Sequence, residues 1–439
     1  MGRKDKKAVW LSMLVIPVFF SGVFAVSFSP CREAAPPQIT LEFWSVFDDS
    51  DVYTPLLAQM KADYPNISIN YFKKDVTIYE KELIDALAAG KGPDIFAIHN
   101  TWLPKHKDKL AEAPTTMIDE KRFKEVFVDV AAQDLINEGK IYGFPVAVDN
   151  LALFYNTDLF NSAGLSGPPA TWSDFNNDVE KLTRRDASGN ILQAGAAIGT
   201  ARNINRSTDL LGVLMLQGGT KMIDDAKAEA TFDRTVSSAN QEVFNPGLQG
   251  LRYFTGFANR NNSKIYTWNS QQNYSLDAFV EGKAAMMFNY SYQIPQLRAR
   301  APHLNFAVAP LPQISANSKK VTYANYWPLA VSKTSKNQTH AWQVLGWLVK
   351  QENLKTYLDA TKKPAARRDL IDGQKSDSDL GIFAEQALFA QCWWQADNIA
   401  VEQIFADMIE SVTNGSATAE EALQRGNQQT TLLMGKANP

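Results

Sequence analysis

The chain has 439 residues, 45% hydrophobic and 21% charged, with a formal net charge of −3, so it is long enough for two buried cores. The acidic balance argues against nucleic acid as a partner, because neutralising phosphates needs a clustered basic surface. Four histidines and two cysteines, none at ligand spacing, argue against a bound metal.

Residues 3–7 are basic apart from Asp5, and Ala8 to Phe28 is an uncharged, mostly apolar run. Such a run is read as a bilayer-spanning anchor with its basic flank in the cytoplasm, or as a secretory signal. Cys31 stands where a lipoprotein signal puts its acylated cysteine, although Phe28-Ser29-Pro30 before it departs from the usual small residues. Lipidated Cys31, an uncleaved anchor and free secretion remain open, and each puts residues 38–439 outside the cytoplasmic membrane. Residues 1–37 are thus a leader and tether.

Thr40 to Ser45 is predicted as a first strand, Val52 to Tyr64 as a helix stopped by Pro65, and Ile67 to Phe72 as a second strand. Val76 to Ala89 is a helix ended by Gly90, and Gly92-Pro93-Asp94 turns into a buried strand to Ile98. This alternation points to a parallel sheet flanked by helices, with ligands outside the carboxyl ends of the strands. Those ends are Trp44 to Asp49 and His99 to Trp102.

Residues 142–160 organise the rest. An extended apolar run, Tyr142 to Val148, breaks at Asp149-Asn150 and resumes from Leu151 to Tyr155. We read this as the chain leaving one lobe for another, with a hairpin turning at Asp149-Asn150 as the alternative. Beyond it, Thr171 caps a helix to Leu182, Gly195 to Gly199 is a short strand, and Asn205 to Leu216 is a helix. Phe306 to Pro312 is read as the return crossing, and the chain from His340 onward is helical in pattern. No short repeat appears, which excludes solenoids and propellers.

Several of these segments carry a family resemblance. Tyr142-Gly-Phe-Pro, Leu153-Phe-Tyr-Asn-Thr-Asp-Leu-Phe, Ala163-Gly-Leu, Pro168-Pro and Thr171-Trp-Ser-Asp-Phe resemble the extracellular solute-binding proteins of ABC importers. The subgroup is the one that binds sugars and oligosaccharides. The resemblance covers nearly all of the chain after residue 38, including the Gly90-x-Gly-Pro-Asp-Ile turn and Lys283 to Tyr290. Bulky Tyr326-Trp327 stands where the family is usually glycine-rich. The implied fold is α/β with two lobes, each a sheet flanked by helices, joined by crossing strands. The first lobe is expected over 38–148 with 307–350 returning to it, and the second over 149–306 with 351–439 completing it.

No Gly-x-Ser-x-Gly elbow, phosphate-cradling glycine loop or His-Glu-x-x-His is present, so the chain is read as a non-enzyme without a cofactor. Asp48-Asp49 is read as a helix-entry loop, not a glycosidase pair, and the histidines as surface or loop residues. Sugars offer hydroxyls to planar polar groups and C–H faces to aromatic rings. The cleft-facing candidates are Trp44, Phe47, Asn100, Trp102, Asp149, Asn150, Asn289, Tyr290, Tyr292, Asn325, Tyr326, Trp327, Arg368, Trp393 and Trp394. For a single aromatic the plain alternative is core packing. Trp393 and Trp394, taken as helix neighbours, cannot both face one core. The resemblance puts Asp149, Tyr290 and the tryptophan pair where relatives touch sugar, with Asn100 and Arg368 less firmly aligned.

The expected function is capture of a mono- or oligosaccharide between hinged lobes by a monomer that delivers it to the permease subunits of an ABC importer. Two alternatives remain. One is a non-sugar solute such as a glycerol phosphate, polyamine or peptide, favoured if Arg202, Arg206 and Arg367 converge. The other is a surface-anchored glycan hydrolase or adhesin.

Overall fold

Two sheets and the cores around them set the positions of every candidate residue. The computed structural model describes residues 36–237 and 241–437, with isolated positions among the first ten. The apolar run from Ala8 lies mostly, and Cys31 wholly, outside the described residues. Among the described residues no helix is long and apolar enough to cross a membrane.

The first sheet has the order Leu329–Val331, Ile95–Ala97, Ile39–Ser45, Ile67–Lys73. Its last three strands are parallel, and Leu329–Val331 runs antiparallel at the edge. Helices Ser50–Asp63 and Tyr79–Ala88 are the crossovers, as parallel pairing requires. Helix Ser50–Asp63 accepts Pro55 inside it. Asp94 locks the third strand, since Oδ2 accepts from the Glu42 amide at 2.9 Å and Oδ1 from the Ser335 hydroxyl at 2.5 Å.

The second sheet has Ala152–Asn156 at its centre, antiparallel to Met286–Asn289 on one side and to Phe306–Ala309 on the other. Its faces follow the two-residue period of a strand. Leu151 and Leu153 enter one core with Phe175, Leu211 and Phe288, while Ala152 and Phe154 enter another with Trp268, Phe279 and Met287. Helix Trp172–Leu182 covers this lobe and begins with a capping box between Thr171 and Asp174. Residues 195–199 form no strand; they are held by a bridge from Ala194 to Ala284 and by the Ala197 amide on the Met286 carbonyl.

The two arms around Asp149-Asn150 do not pair with each other. Phe144 bridges to Leu329 and Ala147 to Ala365, and Val148 packs in the first core, whereas Leu151 packs in the second. The return differs from the sequence-based expectation. Phe306–Ala309 pairs with the second sheet, and Leu311, Val321 and Tyr323 pack in its core, so the chain reaches the first core only at Ala324. Residues 351–371 also differ: Leu354, Tyr357, Leu358, Leu370 and Ile371 bury against the first core, not the second. An apolar run states that it is buried but not in which core, and helical amphipathicity is equally silent.

Three segments therefore lie side by side at the crossing. The Leu151 amide donates to the Tyr323 carbonyl at 2.9 Å, Asn325 to Asp149 at 3.0 Å, and Ala324 to Gln391 at 2.9 Å. Thr322–Tyr323 and Ala390–Gln391 pair in parallel. This short ladder, with Leu151 and Tyr323 in the second core and Ala324 in the first, is where the chain passes between the lobes and so stands as the hinge of a two-lobe fold.

Candidate functional site

On the first lobe, the strand ends and the loop before Leu329–Val331 build an aromatic wall. Trp327 is its centre, with ring centroids 5.5 Å from Phe47, 5.3 Å from His99 and 5.2 Å from Trp102, all edge-on. Phe47 stays 49% exposed while Trp102 is buried and stacked on Tyr79. Trp44 is buried, with the Lys74 ammonium 3.8 Å above its ring, so that face is already covered. Asp48 accepts from Tyr357 at 2.7 Å and Lys363 at 2.5 Å, and Asp49 pairs with Lys73 at 2.7 Å. That acidic pair ties the loop down and offers no acid–base couple.

Asn100 and Tyr326 form a buried polar knot. Asn100 Nδ2 and the Tyr326 hydroxyl both donate to Asp134 at 2.9 Å, and burial pushes the Asp134 carboxyl up to about 7. His99 accepts or donates at Thr101 Oγ1, 2.7 Å away, and sits 3.4 Å from Asn325 Oδ1. Burial, then the nearby Arg206 charge, lowers His99 to about 4. His99 thus stands neutral in the wall, on the loop where sequence reading placed it.

The second lobe contributes charge and hydrogen bonding. Arg206 adopts φ +60° just before helix Ser207–Gln217, a left-handed conformation that side chains other than glycine adopt at a cost. Its guanidinium lies 5.6 Å above the Tyr290 ring, Nε donates to the Tyr292 hydroxyl at 3.3 Å, and Asp209 is 3.9 Å away. Tyr290 is fully buried, stacks on Tyr292 at 5.9 Å, and donates to Asp209 at 2.7 Å. Asp209 is raised by burial, against which Arg206, Tyr290 and Asn325 act. Asn325 therefore touches both His99 and Asp209, which brings the wall and the polar cluster to one place at the hinge.

The remaining candidates fall elsewhere. Asp149 accepts from the Ser291 amide at 3.1 Å, the Ser291 hydroxyl at 2.8 Å and the Tyr292 amide at 3.3 Å, and burial lifts it to about 6. Both oxygens are thus occupied in fastening the hinge to the turn before helix Gln293–Arg300. Asn150 is wholly interior, donating to the Phe383 carbonyl at 2.7 Å and accepting from Gln386 at 2.9 Å. Asn289 is also interior: Oδ1 accepts from the Tyr290 amide, and Nδ2 has no partner. Arg368 is away from the cleft, on the Phe127 carbonyl at 2.9 Å and on Asp129. Trp393 and Trp394 are not on a helix; Trp393 is buried against Phe405 at 5.9 Å, while Trp394 is half-buried.

Two cavities lie between the lobes. The larger, about 1090 Å³, is lined by Asn100 and Asp134 of the first lobe, Met222 and Asp224 of the second, and both Trp393 and Trp394. The other, about 870 Å³, is lined by Arg206, Tyr274, Asp397 and Glu402, and Lys105 lines both. Sequence reading passed over Lys105, Asp134, Asp209, Tyr274 and Glu402. Isolated charged residues on helices and loops look like solvated surface until the second lobe is set against them.

The model of the family described as bacterial extracellular solute-binding protein matches residues 47–355. The chain belongs to that family. Among curated relatives it is 25% identical over 335 residues to a putative binding protein of Brucella abortus, covering 76% of each chain. It is 22% identical to a maltodextrin-binding protein of Bacillus subtilis, covering 82% of this chain and 83% of that one. A maltotriose-binding protein of Pyrococcus abyssi is 22% identical over 68% of this chain and 60% of its own. Among solved structures, the cyclic alpha-maltosyl-1,6-maltose binding protein from Arthrobacter globiformis superposes with a TM-score of 0.74 at 18% identity, covering 91% of this chain and all of that one. A cyclo/maltodextrin-binding protein complexed with maltotetraose gives 0.73 at 20% identity, covering 93% and 98%. This family member therefore has the two-lobe α/β fold.

Proposed function

We propose that the chain is the substrate-binding component of an ABC importer and captures an uncharged saccharide between its lobes. The observation that carries this is the pairing of faces at the hinge: the Phe47–Trp327–Trp102 wall on one side and Arg206, Asp209 and Tyr292 on the other. A pyranose needs both, an aromatic surface for its C–H face and directional donors and acceptors for its hydroxyls. The names of the maltotriose- and maltodextrin-binding relatives agree with it.

A phosphorylated ligand is less well served. Arg202 is paired with Asp407 at 2.8 Å and Arg367 with Asp369 at 2.7 Å, which leaves Arg206 alone among the three suggested cations, with Asp209 beside it. A carboxylate beside the lone arginine suits hydroxyls and repels a phosphate. Phe47, Trp327, Tyr292 and Trp394 are the ligand-facing members of the sequence-derived set. Trp44, Asn100, Trp102, Asp149, Asn150, Asn289, Tyr290, Asn325, Tyr326, Trp393 and Arg368 act as supports.

In this reading the lobe boundaries follow the cores, with crossings at 149–150, 323–324 and 392–393. The protein works as a monomer at the outer face of the cytoplasmic membrane, held by lipidated Cys31 or by an uncleaved N-terminal helix, and no turnover accompanies binding. Its closed form docks on the membrane permease. A thermal-shift screen of the protein against mono- and oligosaccharides, with glycerol 3-phosphate as the charged control, tests the reading. A stabilising neutral sugar supports it. Stabilisation by the phosphate alone, or hydrolysis of a stabilising glycan, overturns it.

A further inference from the structure

Beside the Arg298–Asp379 pair at 2.6 Å, two direct bonds that join the lobes away from the hinge ladder fall on consecutive residues. Trp102 Nε1 donates to Asn398 Oδ1 at 3.1 Å, and Lys105 Nζ lies 2.9 Å from Asp397 Oδ2. Both donors belong to the first lobe and both acceptors open helix Asn398–Thr413, whose Val401, Phe405, Met408 and Ile409 pack in the second core. Closure brings them together, and opening must break both.

The donors are held ready on their own lobe. The Trp102 ring is fixed by Tyr79, Trp327 and His106, which aims its N–H outward. Lys105 is also bound to Glu80 at 2.8 Å, and the same Glu80 oxygen takes His106 Nε2 at 2.8 Å. Fixing the side chains beforehand removes most of the ordering entropy that makes exposed ion pairs weak.

The acceptors are equally prepared. Asp397 Oδ1 accepts the Ala400 amide at 3.1 Å as the helix cap, leaving Oδ2 for Lys105. A cation approaching a helix N-terminus is repelled by the dipole, so only the Asp397 charge makes the approach of Lys105 favourable. Lys105 also lines both cavities, so the contact stands at the partition between them and needs no ligand atom to form.

We propose that Trp102 and Lys105 form a latch on Asn398 and Asp397 that keeps part of the ligand-free population closed. The latch sets the closed-to-open ratio that a ligand then shifts, and it scales apparent affinity through the closed fraction.

The test reads the empty protein and so does not depend on which solute it carries. Asp108 and Asp225 line opposite walls of the larger cavity and are 72% and 96% exposed. Spin labels at Asp108→Cys and Asp225→Cys, in the full chain carrying Cys31→Ser, report cavity width by pulsed dipolar spectroscopy. Native Cys392 is buried and stays unlabelled. The ligand-free parent should show a short-distance component. Asp397→Asn, which keeps a capping side chain but removes the charge, combined with Asn398→Ala should lower the short-to-long ratio about three- to tenfold. Lys105→Met, made on the other lobe, should shift the ratio the same way, which separates latch loss from damage to the helix. A parent with only long distances, or variants with the parent's distribution, overturns the latch. Failure of every sugar to bind would leave this result standing and would count only against the saccharide reading.

Discussion

The two faces of the cleft are built on opposite physical plans. The first lobe presents rings beside polar groups that are already satisfied on that lobe: Asn100 and Tyr326 spend themselves on Asp134. The second lobe presents Arg206, whose guanidinium meets Asp209 only at 3.9 Å, next to the exposed hydroxyl of Tyr292. One face offers area with little direction, and the other offers direction with little area. In the proposed reading a ligand gains both only when the lobes close, so the division of chemistry would couple recognition to movement.

The largest expected effect separates support from contact within the tryptophan pair. Trp393→Ala empties a site in the second core and should cost about 3–5 kcal/mol of unfolding free energy in denaturant titration. Trp394→Ala should leave stability nearly unchanged and weaken saccharide binding instead. Equal effects of the two on melting would break the distinction.

Next comes the polar face. Arg206→Ala should weaken the best-binding sugar by roughly ten- to a hundredfold in calorimetric titration, the loss of a charge-assisted hydrogen bond. Arg206→Gly should bind as poorly yet melt no lower than the parent, because glycine adopts φ +60° without penalty. Arg206→Gly with parental affinity would remove the directional half of the comparison. On the aromatic face, Phe47→Ala should weaken binding by only about two- to tenfold with the melting temperature kept, since a half-exposed ring supplies a stacking surface and little core.

The smallest effects are in pH dependence. His99 is near 4 in the folded chain against an ordinary value of 6.5, so between those limits the unfolded chain binds more protons and stability rises with pH. Asp134 is near 7 against an ordinary 3.8, so the folded chain binds more protons there and stability falls as pH rises from about 4 to 7. The two slopes oppose each other. His99→Gln should remove the rising part and Asp134→Asn the falling part, giving opposite tilts in melting temperature from pH 4 to 7. Parallel profiles would show that neither group is as buried as its surroundings imply.

Much of the first lobe, and the Thr171 cap of the second, was legible from local pattern. Strands at 39–45 and 67–73, the helix between them and the one after, the Asp94 turn and the Thr171 cap all depend on neighbours a few residues away. The break at Asp149-Asn150 was legible too, because two apolar runs with a polar joint leave a one-dimensional mark. The role of Asp149 was not: that it is filled by Ser291 and Tyr292 depends on a turn 142 residues away. For the same reason Asn150 and Arg368 looked available for ligand while their partners are Phe383 and Phe127.

The sequence by itself determined the periodicities, the caps and the family, since each resides in contiguous residues. Only the tertiary structure decided which core receives Phe306–Ala309 and residues 351–371, because burial has no address in one dimension. It also decided which charges face the cleft. Arg202, Arg206 and Arg367 are alike as residues, and only the placement of Asp407, Asp209 and Asp369 distinguishes two closely neutralised pairs from the cation held over Tyr290 between the lobes.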